Sequence, residues 1–414
     1  MGEGKFWNYE NKIVTLFFFS VGFVFFDRLA INYLIPFMQN DFSLTNTQIG
    51  LIGSALAITW AISGPLVGYL SDKVNAKRNI LIISILLFSV VSLMHGLVAT
   101  FGLLLVLRLL MGLLEGPIIP ITQSVLAVES SEKRRGFNLG FSMNTAQGVF
   151  GGFLAPLIIV ALANAFDWRT AFYLTIIPGL ILAFFIWRYM KEPKTDDKTV
   201  ISPAAEGQKM GIKQVMGNRN ILLSIIIFSC FMVYLMSFQI FGPVFLVNGK
   251  GLSESAMSIV MAGFGAGTAI LGFVVPAISD RIGRKPATLI FGFLSLFSPI
   301  VVLMFDSVAL MSVLVFIFSA GMGVGGLAMS VIPTESVPAQ YGGFAVGITI
   351  GIGEIFGGVL NPVFSGMAAD AWGLAAPLMI ASSAAFTGFL FSLFLRETAP
   401  AKLRANKEKV EKLA

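Results

Sequence analysis

The chain has 414 residues, of which 56% are hydrophobic and 12% charged, and it carries a formal net charge of +6. Soluble globular chains carry about 25% charged residues, so this one has too little polar surface for water and belongs in lipid. A soluble enzyme, a disordered chain and a secreted disulfide scaffold are excluded. Cys230 is the only cysteine and His95 the only histidine, which leaves no internal disulfide and no zinc site built from these residue types.

Apolar runs predict twelve membrane spans, near 13–39, 47–71, 79–98, 101–128, 138–165, 168–191, 218–247, 254–279, 287–306, 309–332, 340–367 and 373–396. With a cytoplasmic N-terminus, 24 of the 28 Lys and Arg residues fall in cytoplasmic segments. Two, Arg169 and Lys250, fall outside, and Arg28 and Arg108 sit within spans. The basic excess is therefore a topology signal and not a nucleic-acid footprint. The expectation is a multi-pass protein of the inner (plasma) membrane with both termini cytoplasmic. The first apolar run is too long for a signal-peptide core and contains Asp27-Arg28, so it reads as a retained span.

In chain order, span one brings Asp27 and Arg28 into the bilayer, where an ionisable group costs about 2.5–3.5 kcal/mol on insertion scales. Adjacent helical residues diverge by about 100°, so one of the two faces a central cavity and the other the interior of its own bundle. Span two offers Trp60 as a cavity residue. The loop Gly68-Tyr69-Leu70-Ser71-Asp72-Lys73-Val74-Asn75-Ala76-Lys77-Arg78 joins spans two and three. His95, near the outer end of span three, reads as interfacial. Span four holds Arg108 and Glu115, seven residues apart and so on one helix face. Span five offers Asn144 and Gln147, and the glycines Gly148, Gly151 and Gly152 fit close helix contact.

A polar stretch, 192–217, divides the chain six spans and six. Beyond it, span seven offers Tyr234 and Gln239, and Pro276-Ala277-Ile278-Ser279-Asp280-Arg281-Ile282-Gly283-Arg284-Lys285 joins spans eight and nine. Asp72 and Asp280 are 208 positions apart, about half the chain, which marks an internal repeat. Asp72 and Arg78 in the first loop, and Asp280, Arg281 and Arg284 in the second, are the candidate cytoplasmic gate or staple. Span eleven holds Glu354 and Asn361, and Glu354 lies 207 positions after Gln147. Asp27, Glu115 and Glu354 sit near one depth on three helices. With only Arg28 and Arg108 as bases within spans, one acid lacks a cationic partner there and is the expected proton acceptor.

The two charged loops resemble the Gly-x-x-x-Asp-Arg/Lys-x-Gly-Arg-Arg/Lys signature of the major facilitator superfamily, with Asn75 and Pro276 as departures. Trp168-Arg169-Thr170-Ala171-Phe172 is similar to the Trp-Arg-x-x-Phe that opens span six in that superfamily. Phe26-Asp27-Arg28 and Arg108-Leu109-Leu110-Met111-Gly112-Leu113-Leu114-Glu115-Gly116-Pro117-Ile118-Ile119-Pro120 look like spans one and four of the anion:cation symporters. This resemblance implies that Arg28 binds a substrate carboxylate, that Asp27 and Glu115 are protonatable, and that Arg108 tunes them. Val24 and Phe25 stand where that family has Asn and Tyr, and Glu354 where an uncharged polar group is expected, which points to a less hydroxylated substrate or one with a positive group.

The fold expected is an all-α integral membrane protein with twelve transmembrane helices in two pseudo-symmetric six-helix bundles. The bundles are 1–191 and 218–396, joined by a linker, 192–217, and followed by a cytoplasmic tail, 397–414. The function expected is proton-coupled uptake of a small organic anion by alternating access, with sodium as the other possible coupling ion. Efflux by a proton antiporter and a non-transporting sensor remain as alternatives. A monomer in the bilayer is expected, with no cofactor, no metal and no enzymatic activity.

Overall fold

The computed structural model describes residues 8–74, 76–131, 133–192, 215–400 and 402–403, with the backbone alone at Asn40, Asp72, Ala339 and Gln340. Most of the expected linker and tail, together with Asn75 and the Asp72 side chain, lie outside the described residues. Among those described, every regular element is helical. Eleven helices are long and apolar enough to cross a membrane. They are α1 (Tyr9–Gln39), α2 (Asn46–Ser71), α3 (Lys77–His95), α4 (Phe101–Glu129), α5 (Arg135–Ala165), α6 (Trp168–Tyr189), α7 (Arg219–Gly249), α8 (Glu254–Ile282), α9 (Arg284–Met304), α10 (Val308–Glu335) and α11 (Tyr341–Trp372). A shorter apolar helix, α12 (Ala376–Ser392), completes twelve. In hydrocarbon every backbone polar group must be satisfied within its own segment, which is why only helices appear.

Polar side chains set where these helices begin. Asn8, Thr100, Asp167, Asn218 and Ser307 each accept a hydrogen bond from a backbone N–H of the first turn they precede. Gly283, between α8 and α9, has φ 110°, a left-handed conformation in which a β-carbon is strained.

The described residues form two compact units. One contains α1 to α6 and the stretch Gly251–Ala266; the other contains α7 and the chain from Gly267 onward. Within the first unit Gly152 of α5 meets Gly265 of α8 backbone to backbone, since a β-carbon on Gly265 would fall 1.9 Å from the Gly152 carbonyl carbon.

The repeat seen in the sequence is repeated in helix geometry. Gln147 and Glu354 each open a π-helical stretch, Gln147–Leu154 in α5 and Glu354–Leu360 in α11. Such local widenings of a helix occur frequently at functional sites.

Candidate functional site

The first unit holds a charged layer on α1 and α4, and neighbouring helices explain its placement. On α4, Gly112 and Gly116 face α2, and a β-carbon on Gly116 would fall 1.9 Å from the Ser63 hydroxyl. This close approach lets the Ser63 hydroxyl donate to the Gly112 carbonyl at 3.1 Å. Pro117 interrupts α4 just after Glu115, because proline has no N–H to continue the ladder.

Asp27 and Arg28 diverge as their adjacency requires. Asp27 is fully buried inside the first unit and accepts from the Ser92 hydroxyl of α3 at 2.5 Å. The Ser92 oxygen lies 2.8 Å from that of Thr175 on α6. Ser92 and Thr175 have one hydroxyl proton each, and the Thr175 hydroxyl also lies 2.7 Å from the Phe172 carbonyl, to which it donates when its proton is not shared with Ser92. The second carboxyl oxygen of Asp27 has no hydrogen-bond partner. Arg28 turns the other way and remains half-buried, its guanidinium carbon 5.0 Å from the centre of the Trp60 ring. A cation over an indole face is held by the ring quadrupole while its N–H groups stay available at the edge.

Arg108 and Glu115 are both buried, at 1% and 0% exposure. Arg108 makes one long hydrogen bond, 3.5 Å from Nη1 to the Arg28 carbonyl, and its Nε and Nη2 have no partner. Neither carboxyl oxygen of Glu115 has a hydrogen-bond partner, although Asp27, Arg28 and Arg108 all lie within its electrostatic reach. Buried polar groups are ordinarily paired, and an unpaired buried charge is expensive. A cluster with this many unsatisfied atoms has the capacity to take up protons or a charged ligand.

His95 departs from its expected interfacial position. It is fully buried one turn from Ser92, stacks on Phe172 with ring centres 5.4 Å apart, and is bonded through Nδ1 to the Val91 carbonyl at 2.8 Å. Its Nε2 has no partner. Ser92, Thr175 and His95 had no charge signature in the sequence. For Ser92 and His95 the signal is the helical face of α3 on which Phe88, Ser92 and His95 recur; Thr175, on α6, has none.

Other candidates are placed differently. Gln147 is half-buried and Asn144 exposed on α5. In the second unit the Tyr234 hydroxyl lies 2.6 Å from that of Ser298, and Asn361 bonds Ser237, Ser365 and the Val233 carbonyl, tying α11 to α7. Gln239 is buried and Glu354 half-buried.

At the repeated loops, three acids that sequence reasoning passed over do much of the holding. Glu192 accepts from the backbone N–H of Lys77 and Arg78, at 2.5 and 3.0 Å, and the Arg78 guanidinium donates to the Trp187 carbonyl. In the second unit Glu397 accepts from the N–H of Arg284 and Lys285, at 2.7 and 3.2 Å. Arg284 pairs with Asp280 at 2.5 Å and with Glu335 at 2.9 Å, while Arg281 is exposed. At the opposite end of α1 from Asn8, Trp168 and Arg169 of α6 both donate to the Asp41 carboxylate at 3.0 Å.

Comparison with known proteins places the chain among transporters. The hexuronate transporter of Bacillus subtilis is 30% identical over 66% of this chain and 66% of its own length. The sialic acid transporter NanX of Escherichia coli is 27% identical over 92% of each chain. The probable galactarate/D-glucarate transporter of B. subtilis is 26% identical over 87% of this chain and 86% of its own length. Among solved structures, a bacterial homologue of the human lysosomal transporter Spinster superposes with TM-score 0.77 at 18% identity, covering 94% of this chain and 98% of that one. The nucleoside transporter NupG superposes with TM-score 0.75 at 14% identity, covering 94% and 100%. The profile of the Major Facilitator Superfamily matches residues 17–350 and 236–413. The likeness to anion:cation symporters read from α1 and α4 is borne out by these relatives. The chain belongs to the Major Facilitator Superfamily and is a multi-span membrane transporter rather than an enzyme.

Proposed function

We propose that this protein takes up a small carboxylate together with protons across the inner membrane, by alternating access. The observation that carries the reading is the buried layer of Asp27, Arg108 and Glu115 with its unsatisfied atoms, beside the half-buried Arg28. In it Arg28, backed by Trp60, binds the substrate carboxylate with a guanidinium fork. Asp27 and Glu115 carry the protons, and Arg108 positions both by its charge. The named substrates of the relatives, hexuronate, galactarate or glucarate, sialic acid and cis,cis-muconate, are all carboxylates, which supports an organic anion. The Lys and Arg distribution supports cytoplasmic termini.

The test is uptake of these acids into proteoliposomes with an imposed pH gradient, outside acidic. Accumulation driven by the gradient and abolished by a protonophore is expected. Accumulation driven by sodium alone overturns proton coupling. Binding with no flux overturns transport.

A further inference from the structure

The first unit contains a cavity of about 850 Å³ outside the charged layer. It lies between α1, α5 and α6, and its lining includes Lys12, Phe23, Phe150, Ile158, Ile181 and Tyr189. No acidic side chain lines it. On α1 the lining runs from Lys12 to Phe26, which spans ~21 Å at 1.5 Å per residue. That exceeds half of a ~30 Å hydrocarbon core, and therefore the depth of one leaflet.

At the depth of Phe23 and Ile181 the opening follows from side-chain size at repeat-related positions; the second unit has a smaller groove, about 550 Å³, further along its α7–α12 seam at Val233, Met379 and Ser383. Phe23 and Ile181, which line the first unit's cavity, are each 207 positions before Cys230 and Gly388. In the second unit those two residues let α7 and α12 close: a β-carbon on Gly388 would stand 3.3 Å from the Cys230 β-carbon. A phenylalanine and an isoleucine at the equivalent places cannot approach so closely, and in the first unit the space beside them stays open.

The Lys12 end of the groove carries three cations, with the carboxylates Glu129 and Glu192 near Tyr9 at the same end. Lys12 lines it, Arg188 lies over the Tyr189 ring at 5.4 Å, and the Lys191 ammonium lies 5.3 Å from the Tyr9 ring. We propose that this groove is a binding site for one acyl chain of an anionic phospholipid, with the headgroup at Lys12, Arg188 and Lys191. The apolar walls fix the chain, and the three cations select the headgroup by its negative charge. The site is separate from the charged layer and does not depend on the transported substrate.

The test uses the purified, delipidated full chain titrated with phosphatidylglycerol or phosphatidylcholine of matched acyl chains, read by native mass spectrometry and by melting temperature. Phosphatidylglycerol is expected to bind more tightly and to raise the melting temperature more. Ile181→Trp fills the groove from a position 49% exposed, so the fold is retained while affinity falls about tenfold or more. Ile83→Trp, on the exposed face of α3 and outside the groove, serves as the control and is expected to bind as the unmodified chain does. Lys12→Gln is expected to reduce the preference for phosphatidylglycerol while leaving phosphatidylcholine binding unchanged. Equal affinity for the two lipids, or undiminished binding by Ile181→Trp, overturns the proposal. So does a groove that takes up no lipid because another part of the chain occupies it.

Discussion

Glu192 and Glu397 do the same work in the two halves of the chain. Each carboxylate reaches back from the end of its half to accept the first two backbone N–H groups of a helix, α3 in one case and α9 in the other. The free N–H groups and the positive end of the helix dipole make that position favourable for an anion. Glu397 also receives the N–H of Thr398 and Ala399, so the chain end folds around it.

Glutamine at either position keeps one acceptor oxygen and loses the charge. Glu192→Gln and Glu397→Gln should each lower stability by about 1–2 kcal/mol, read as a lower melting temperature in detergent. The double substitution should approach the sum, because each residue acts within its own unit. A melting temperature unchanged in the double variant would show that the caps contribute nothing to stability.

Arg28→Lys retains the charge and loses the planar fork. Substrate affinity should fall by about tenfold or more, while the amount of protein inserted is unchanged. Equal binding by the lysine variant would remove a bidentate role for Arg28 and leave only its charge.

Asp27→Asn should abolish accumulation driven by a pH gradient while the protein stays folded, since the Asn amide oxygen still accepts from Ser92. Glu115→Gln should do the same. At least one of the two should retain substrate exchange, which needs no net proton movement. Ser92→Ala gives the contrast: it leaves the carboxyl in place, deprives it of its 2.5 Å donor, and should shift the pH profile of uptake rather than eliminate it. Full accumulation by both acid variants would move the proton site elsewhere.

Glu354→Gln distinguishes two roles for the second unit's intramembrane carboxylate. As a competitor for the substrate's cationic partner, Glu354 weakens anion binding, and its loss tightens it. As the contact for a positive group on the substrate, its loss weakens a zwitterion and spares a simple anion. Isothermal titration with both ligand types on the purified variant reads the difference, and equal affinities throughout would assign Glu354 to packing.

Much of this was written in the sequence. Hydropathy and the distribution of Lys and Arg determined the spans, because lipid admits so few charges and so few backbone conformations. The offset between Asp72 and Asp280 revealed the repeat, and Asp27, Arg28, Arg108 and Glu115 stood out because charge in a span is costly. The tertiary structure alone decided which way each charge faces, since two adjacent residues on a helix diverge whatever their neighbours are. It also decided that Ser92 and Thr175 serve Asp27, that His95 is buried, and that Glu192, Glu335 and Glu397 hold the repeated loops. Those residues lie 51 to 115 positions from groups they join, or carry no charge, so neither hydropathy nor local spacing could pair them. The groove beside Phe23 and Ile181 is the same kind of fact: side-chain size is visible in a sequence, but whether two helices close over it depends on what faces them.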